Sequence, residues 1–226
     1  MSEHVLPPGQ VAVEGFPRFG VDLRQPPPAV PADPVLGGRG AGDDLAVPLA
    51  RLRELPRRTV EADLHCVAGW TATGLRWEGV AVADLYREVV EPRLATDRRP
   101  THLLFRGADG FCSVVQLRDA LAPHVLLADT LDGAPLDGDH GAPLRLVSPG
   151  QYGYVSVKHL RRLEVHDSEP AGLRTTPLRR VQWWLLGLHP RGRVWLEERH
   201  PVLPARLVAP VYRRLASRIK QGLWSA

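Results

Sequence analysis

Asp63-Leu64-His65-Cys66-Val67-Ala68-Gly69-Trp70 places one of the chain's two cysteines behind a histidine and ahead of a small-residue turn closed by tryptophan. The run leading into it, Arg57 to Cys66, alternates polar and apolar residues as a half-buried strand does. Cys66 is therefore expected at a strand end, with Gly69 breaking the pattern. Loops at strand ends are where a rigid scaffold mounts chemistry. A cysteine so placed is an inert core thiol, a nucleophile or a metal ligand. His65 is a poor catalytic partner for it, because adjacent strand residues face opposite sides. No CxxC, HxxxH or HExxH spacing occurs and the nine histidines are scattered, whereas zinc takes about three or four protein ligands. A single thiolate suits a metal whose other ligands belong to an organic cofactor.

The 226 residues suit one substantial domain with extensions. Twenty-two prolines and 21 glycines favour a turn-rich α+β or β-rich body over a helical bundle. Two cysteines, Cys66 and Cys112, make no disulfide framework. No apolar run approaches the roughly 18–20 residues that span a bilayer. The N-terminal residues show no export signal, so a reducing cytoplasm is the expected compartment. The net charge of +4 is unevenly spread: residues 171–226 carry +9 and the preceding residues −5.

Three regions follow. Residues 1–44 read as an extended Pro/Gly-rich arm, with Pro26-Pro27-Pro28 enforcing polyproline-like backbone and Gly37-Gly38-Arg39-Gly40 as a loop. Val11, Val13, Phe16 and Phe19 give this arm something to dock. Residues 45–168 read as the domain core and 169–226 as a basic, Trp-rich extension. Within the core, a short helix is expected across Val80–Val90. His102–Phe105 and Phe111–Val115 should form a hairpin about Ala108-Asp109-Gly110. Gln116–Leu121 reads as a brief helix, and Val125–Leu131, Pro143–Ser148 and Leu160–His166 as strands.

Two downstream stretches suit an anion. In Tyr152–Lys158 glycine lets backbone amides approach, Ser156 offers a hydroxyl and Lys158 a point charge. In Asp139-His140-Gly141-Ala142-Pro143-Leu144-Arg145, Arg145 enters an apolar strand, where a buried charge needs a salt-bridge partner or a bound anion.

The Cys66 block with Leu75-Arg76-Trp77-Glu78-Gly79-Val80, the Asp139–Val147 block and the Pro149–Lys158 block resemble, in order and spacing, the sulfite-oxidase-type molybdopterin domains. Leu6-Pro7-Pro8-Gly9-Gln10 and Glu14-Gly15-Phe16-Pro17 resemble the lead-in of the bacterial stand-alone branch, which is similar to the catalytic subunit of protein-methionine-sulfoxide reductase. The resemblance covers about residues 5–168. It implies a β-rich α+β fold with short helices and the Mo-molybdopterin cofactor. The immunoglobulin-like dimerisation domain is not expected, since too few residues follow Asp167 for a sandwich of about 100 residues. It implies that Cys66 supplies the one protein thiolate to molybdenum and that His140 and Arg145 hold the pterin and its phosphate. Ser156, Val157 (by its backbone) and Lys158 would meet the phosphate end, with Gly107 of Phe105-Arg106-Gly107 near the cofactor. Val155 departs from the family, which often has lysine there.

The function so implied is two-electron oxygen-atom transfer on a small substrate such as a sulfoxide, N-oxide or sulfite-like oxyanion. A separate electron-transfer partner is implied too, since no haem or iron–sulfur motif is present. The alternative is a non-catalytic partner-binding module or cofactor carrier that works through the tail. There Val208, Tyr212, Leu215, Ile219 and Leu223 recur at helical spacing among Arg213, Arg214, Arg218 and Lys220. Such a helix suits packing on the acidic body, an anionic membrane surface or an acidic protein. Nucleic acid is not expected, because no recognition motif accompanies the charge.

Overall fold

The computed structural model describes residues 5–18, 26–40, 45–170 and 188–205, with single positions 207, 208, 210, 211 and 214 beyond them. Along these residues run β1 (Val11–Val13), β2 (Val35–Arg39), β3 (Leu45–Pro48), α1 (Leu49–Leu52), β4 (Arg57–Glu61), β5 (Leu64–His65), β6 (Trp70–Ala72) and β7 (Arg76–Ala81). Next come α2 (Val82–Leu85), a π turn at Tyr86–Val90 and a 3-10 turn at Glu91–Arg93. Then follow β8 (His102–Gly107), β9 (Cys112–Gln116), α3 (Leu117–Ala120), β10 (Leu126–Leu131), β11 (Ala134–Pro135), β12 (Arg145–Val147) and β13 (Leu160–His166). This is the β-rich α+β body with short helices that the sequence leads one to expect.

The strands form three sheets: β3-β2-β13-β8-β9; β11-β10-β7-β4 with β12 added to β10; and β1-β6-β5. The second is a middle layer whose central strands β7, β10 and β12 are largely buried on both faces, while β4 and β11 are mostly exposed. Val80, Leu127 and Leu146 enter a larger core with Leu103, Phe105 and Leu163 of the first sheet. Their chain neighbours Ala81, Leu126 and Val147 point the other way, into a smaller core with Leu64, Cys66, Trp70 and Trp77. The two-residue period of a strand thus feeds both cores, and doubly buried strands read as continuous apolar runs. Trp77 is 0% exposed; burial of a side chain that large stabilises by about 3 kcal/mol. The smaller core carries Cys66.

The expected strand Arg57–Cys66 is in fact two. β4 pairs with β7 in the middle sheet, while β5 pairs with β6 in the third. The chain changes sheets at Ala62-Asp63, where Trp77 Nε1 donates to the Ala62 carbonyl at 3.1 Å and the Asp63 carboxylate accepts the Gly74 amide at 3.0 Å. Gly37-Gly38 is no loop but the middle of β2, between β13 and β3. A Cβ on Gly38 would lie 2.7 Å from the Leu45 Cβ, so glycine here serves sheet packing. The helix expected from Val80 starts at Val82, because β10 keeps Val80 and Ala81 in β7. The hairpin about Ala108-Asp109-Gly110 forms as expected, with the Phe111 amide donating to the Asp109 carboxylate at 2.9 Å.

The arm contributes a strand to the cysteine sheet. β1 runs parallel to β6 with Val11 opposite Trp70, and Val13 and Phe16 pack on the smaller core; Phe19 lies outside the described residues. At the other end of the chain, Tyr152 donates its amide to the Gly192 carbonyl at 2.8 Å and Val194 to that of Gly150 at 3.1 Å. Val194 and Arg199 are buried there, while Trp195 and Leu196 are exposed. The positions described between 205 and 214 are helical, with Val208 buried; Val181–Gly187 and the remaining apolar positions of the expected tail helix lie outside the described residues. Among the described residues no helix is long and apolar enough to cross a membrane.

Candidate active site

The hairpin joining β5 to β6 presents the cysteine. The Cys66 amide donates to the Trp70 carbonyl at 2.8 Å and the Gly69 amide to the Cys66 carbonyl at 2.9 Å. Gly69 closes the turn at φ 97°, a conformation that suits glycine. Burial pushes the Cys66 thiol up to about 12, against the pull of the Ala68 amide and the Arg199 charge. On the hairpin's other side the Thr71 hydroxyl donates to Gln10 Oε1 at 3.1 Å and so accepts from His65 Nδ1 at 2.9 Å. Gln10 Nε2 in turn donates to the Cys66 carbonyl at 3.1 Å. His65 therefore serves the hairpin's framework through Thr71, a relation that the strand pattern alone does not reveal.

Facing the cysteine is a wall of positive charge. Arg145 starts β12 on the same face as Val147 and is 2% exposed. Its Nη1 donates to the His140 carbonyl at 2.8 Å and its Nη2 to that of Ser156 at 3.3 Å, while Nε has no partner. The guanidinium lies 5.0 Å from the Trp77 ring centre and 5.7 Å from that of Phe16. Burial lowers its pKa to about 9. Lys158 donates to the Asp139 carbonyl at 2.8 Å; burial first, then the Arg145 charge, lower its pKa to about 8. Neither cation forms an ion pair with a described residue.

The turn between these cations is tightly built. His140 Nε2 donates to the Phe16 carbonyl at 2.9 Å, and Nδ1 meets the Asp137 carboxylate at 2.8 Å. Burial pushes the Asp137 carboxyl up, but the His140 amide and ring hold it below its ordinary value. Gly141 sits at φ 109°, where a Cβ would come within 3.0 Å of the Lys158 Cβ. Ser156 Oγ accepts the Ser148 amide at 3.1 Å.

A cavity of about 240 Å³ joins the cysteine to this wall, and Cys66, His140, Arg145, Ser156, Val157 and Lys158 all line it. Gly107 is not among its lining residues. Its Cα packs instead against the Lys158 carbonyl, which a Cβ would meet at 2.5 Å. The Val157 amide, expected to face the phosphate, is donated to the Val155 carbonyl at 2.9 Å in a three-residue turn. Val155, where relatives often carry lysine, is 0% exposed in the larger core, a place that suits an aliphatic side chain. Phe16, Asp109, Phe111 and Leu188 also line the cavity, although the sequence reading assigned them no part in it.

The model of the family described as "Oxidoreductase molybdopterin binding domain" matches residues 38–173. This chain belongs to that family. Relatives include the uncharacterized oxidoreductase YuiH of Bacillus subtilis, 29% identical over 66% of this chain and 68% of that protein. Mitochondrial sulfite oxidase of Drosophila melanogaster is 31% identical over 67% of this chain but 30% of its own length. The protein-methionine-sulfoxide reductase catalytic subunit MsrP of Gluconobacter oxydans is 31% identical over 47% of this chain and 38% of its own length. The chain thus spans well under half of these last two. The sulfane dehydrogenase SoxCD structure from Paracoccus pantotrophus superposes with a TM-score of 0.54 at 23% identity, over 63% of this chain and 40% of that one. That likeness shows the fold.

The donor set fits a molybdopterin. Among the described residues no three His, Cys, Asp or Glu side chains gather as metal ligands, so a metal beside Cys66 must bring its other ligands with it. Buried Arg145, with an unused N–H, and half-buried Lys158 have no ion-pair partner among the described residues, and an anionic group bound in the cavity would balance their positive charge. Of the residues the sequence reading missed, Phe16 had a readable signal in the Glu14-Gly15-Phe16-Pro17 lead-in. Asp109, Phe111, Leu188 and Arg199 reach the site only through tertiary packing.

Proposed function

We propose that this chain carries out two-electron oxygen-atom transfer on a small sulfoxide, N-oxide or sulfite-like oxyanion. The observation that carries this reading is the cavity lined by the buried Cys66 thiol, buried Arg145 and half-buried Lys158, neither cation having an ion-pair partner among the described residues. When bound, the molybdenum–pterin group supplies reversible two-electron chemistry at the metal. Cys66 would ligate the metal, and ligation would displace the proton that burial holds on the sulfur. Arg145 and Lys158 would neutralise the phosphate and Ser156 would face it across its hydroxyl. His140, fixed by Asp137 and the Phe16 carbonyl, would orient the pterin. Trp70, Phe16 and Phe111 would keep water from the buried sulfur and strengthen each charge interaction.

The reading includes a separate protein that exchanges electrons with the metal, and a reducing, cytoplasmic setting that suits two buried free cysteines. The exposed Trp195, Leu196, Val202 and Leu203 beside a basic stretch support a contact of the C-terminal region with an acidic protein or an anionic membrane surface. Dye-coupled reduction of a sulfoxide and an N-oxide, and oxidation of sulfite, test the reaction on protein made in a molybdopterin-competent host. Turnover of at least one, abolished by Cys66→Ser, is expected. Molybdenum-loaded protein inert toward all of them contradicts it.

A further inference from the structure

Arg199 belongs to the C-terminal extension, outside the residues matched by the family model, yet it reaches the cysteine turn. Its side chain is 1% exposed. Nη1 donates to the Val67 carbonyl at 2.7 Å, and Nη2 to the carbonyls of Pro8 and Gly9 at 3.1 and 3.3 Å. The guanidinium lies 4.9 Å from the centre of the Tyr152 ring. One planar fork therefore ties together the lead-in of β1, the turn after Cys66 and the loop before Ser156.

The contact with Val67 is the telling one. The Cys66 carbonyl already accepts from the Gly69 amide and Gln10, and the Gly69 carbonyl from the Val11 amide. Arg199 supplies the donor for the Val67 carbonyl, at the apex of the turn. That carbonyl belongs to the peptide unit that also carries the Ala68 N–H, and this N–H is the one directed at the Cys66 sulfur. In a trans peptide the oxygen and the hydrogen lie in one plane and point in opposite directions, so holding the oxygen aims the hydrogen. A lysine offers a point charge and could not serve Val67, Pro8, Gly9 and the Tyr152 face together.

We infer that Arg199 is a positioning residue for Cys66, so that the C-terminal extension is part of the active site. The inference rests on the proposed role of Cys66 as metal ligand, but its first test does not need the metal. In cofactor-free full-length protein, iodoacetamide labelling is followed at Cys66 and Cys112 separately by peptide mass. Cys112 is a buried thiol on β9 and reports global opening.

Arg199→Met is expected to raise the Cys66 rate roughly ten- to a hundredfold, the range that loss of a hydrogen bond to a charged group gives in an opening equilibrium. The Cys112 rate should stay put. Arg199→Lys should give the same selective rise at smaller size, and it decides alone if the methionine protein does not fold. Parallel rises at both cysteines, or no rise at Cys66, overturn the inference. In molybdenum-loaded protein Arg199→Lys should also alter the electron paramagnetic resonance signal of the one-electron-reduced metal, which reads the orientation of the sulfur. An unaltered signal beside selective labelling would overturn the link to the metal while leaving the turn contact standing.

Discussion

Two groups of charge, one around Asp129 on β10 and one formed by Arg145 on β12 with Lys158, are treated differently by the fold. Asp129 on β10 is enclosed by Arg57, at 2.7 and 3.2 Å, by Arg53 at 2.8 Å and by the Thr130 hydroxyl at 2.9 Å. Its charge is answered inside the protein. Among the described residues Arg145 and Lys158 donate hydrogen bonds only to carbonyl oxygens, and they open onto a cavity. Structure alone accounts for the first group. The second leaves the folded chain carrying a desolvation penalty that an anion would relieve. The contrast separates a charge that holds the fold from charges that the fold holds ready.

The largest effect should come from the thiol across the cavity: Cys66→Ser should lower dye-coupled turnover at least ~100-fold, since even the outer partners of metal ligands govern 10–100-fold effects. Circular dichroism should show the fold unchanged. Arg145→Met comes next. Loss of its charge-assisted contacts should weaken cofactor retention by roughly 10–100-fold, while the melting temperature of the cofactor-free protein stays level or rises, because a desolvated cation has given way to an apolar chain. A clear fall in that melting temperature would make Arg145 a structural charge like Asp129.

The reverse pattern belongs to Asp129→Ala. It strands two half-exposed arginines and one hydroxyl, so it should destabilise by about 1–3 kcal/mol in urea titration and leave molybdenum per folded chain unaltered.

The smallest effects are those of pH, and in two separate windows both raise the stability of the cofactor-free protein as pH rises. Burial pushes the Asp129 carboxyl up, but Arg57 and Arg53 outweigh it and hold it below 3.8. Its contribution to stability is complete above that ordinary value and fades as pH falls through the lowered one. Lys158 is lowered from 10.5 to about 8. Between those values the unfolded chain binds the proton and the folded one does not, so stability of the cofactor-free protein should rise with pH across that window. Retention of the anionic cofactor should weaken over the same range as Lys158 loses its charge. Denaturant midpoints and cofactor release measured from pH 7 to 10 would show both trends, and flat profiles would contradict them.

Much of this contrast is legible in the sequence. The Leu144-Arg145-Leu146-Val147 run marks a charge entering an apolar strand, and the cysteine turn shows itself through Gly69. Local pattern fails where distant chain decides. Gly37-Gly38 reads as a loop because their reason, the close passage of β3, lies several residues away. The Arg57–Cys66 alternation continues through Ala62-Asp63 although the chain changes sheets there. Gly107 and the Val157 amide were assigned to the cofactor from the resemblance, and in the structure both serve backbone packing. Arg199 sits 133 residues from Cys66 in a stretch whose composition reads merely as basic.

The central claim is that the cavity between Cys66 and the Arg145–Lys158 pair holds an anionic molybdenum cofactor. The most direct measurement is molybdenum per chain in purified protein from a molybdopterin-competent host, for the natural sequence and for the Arg145→Met, Lys158→Met double variant. The natural protein should carry close to stoichiometric molybdenum, and the folded double variant a small fraction of it. Equal molybdenum in both, or none in the natural protein, would contradict the account.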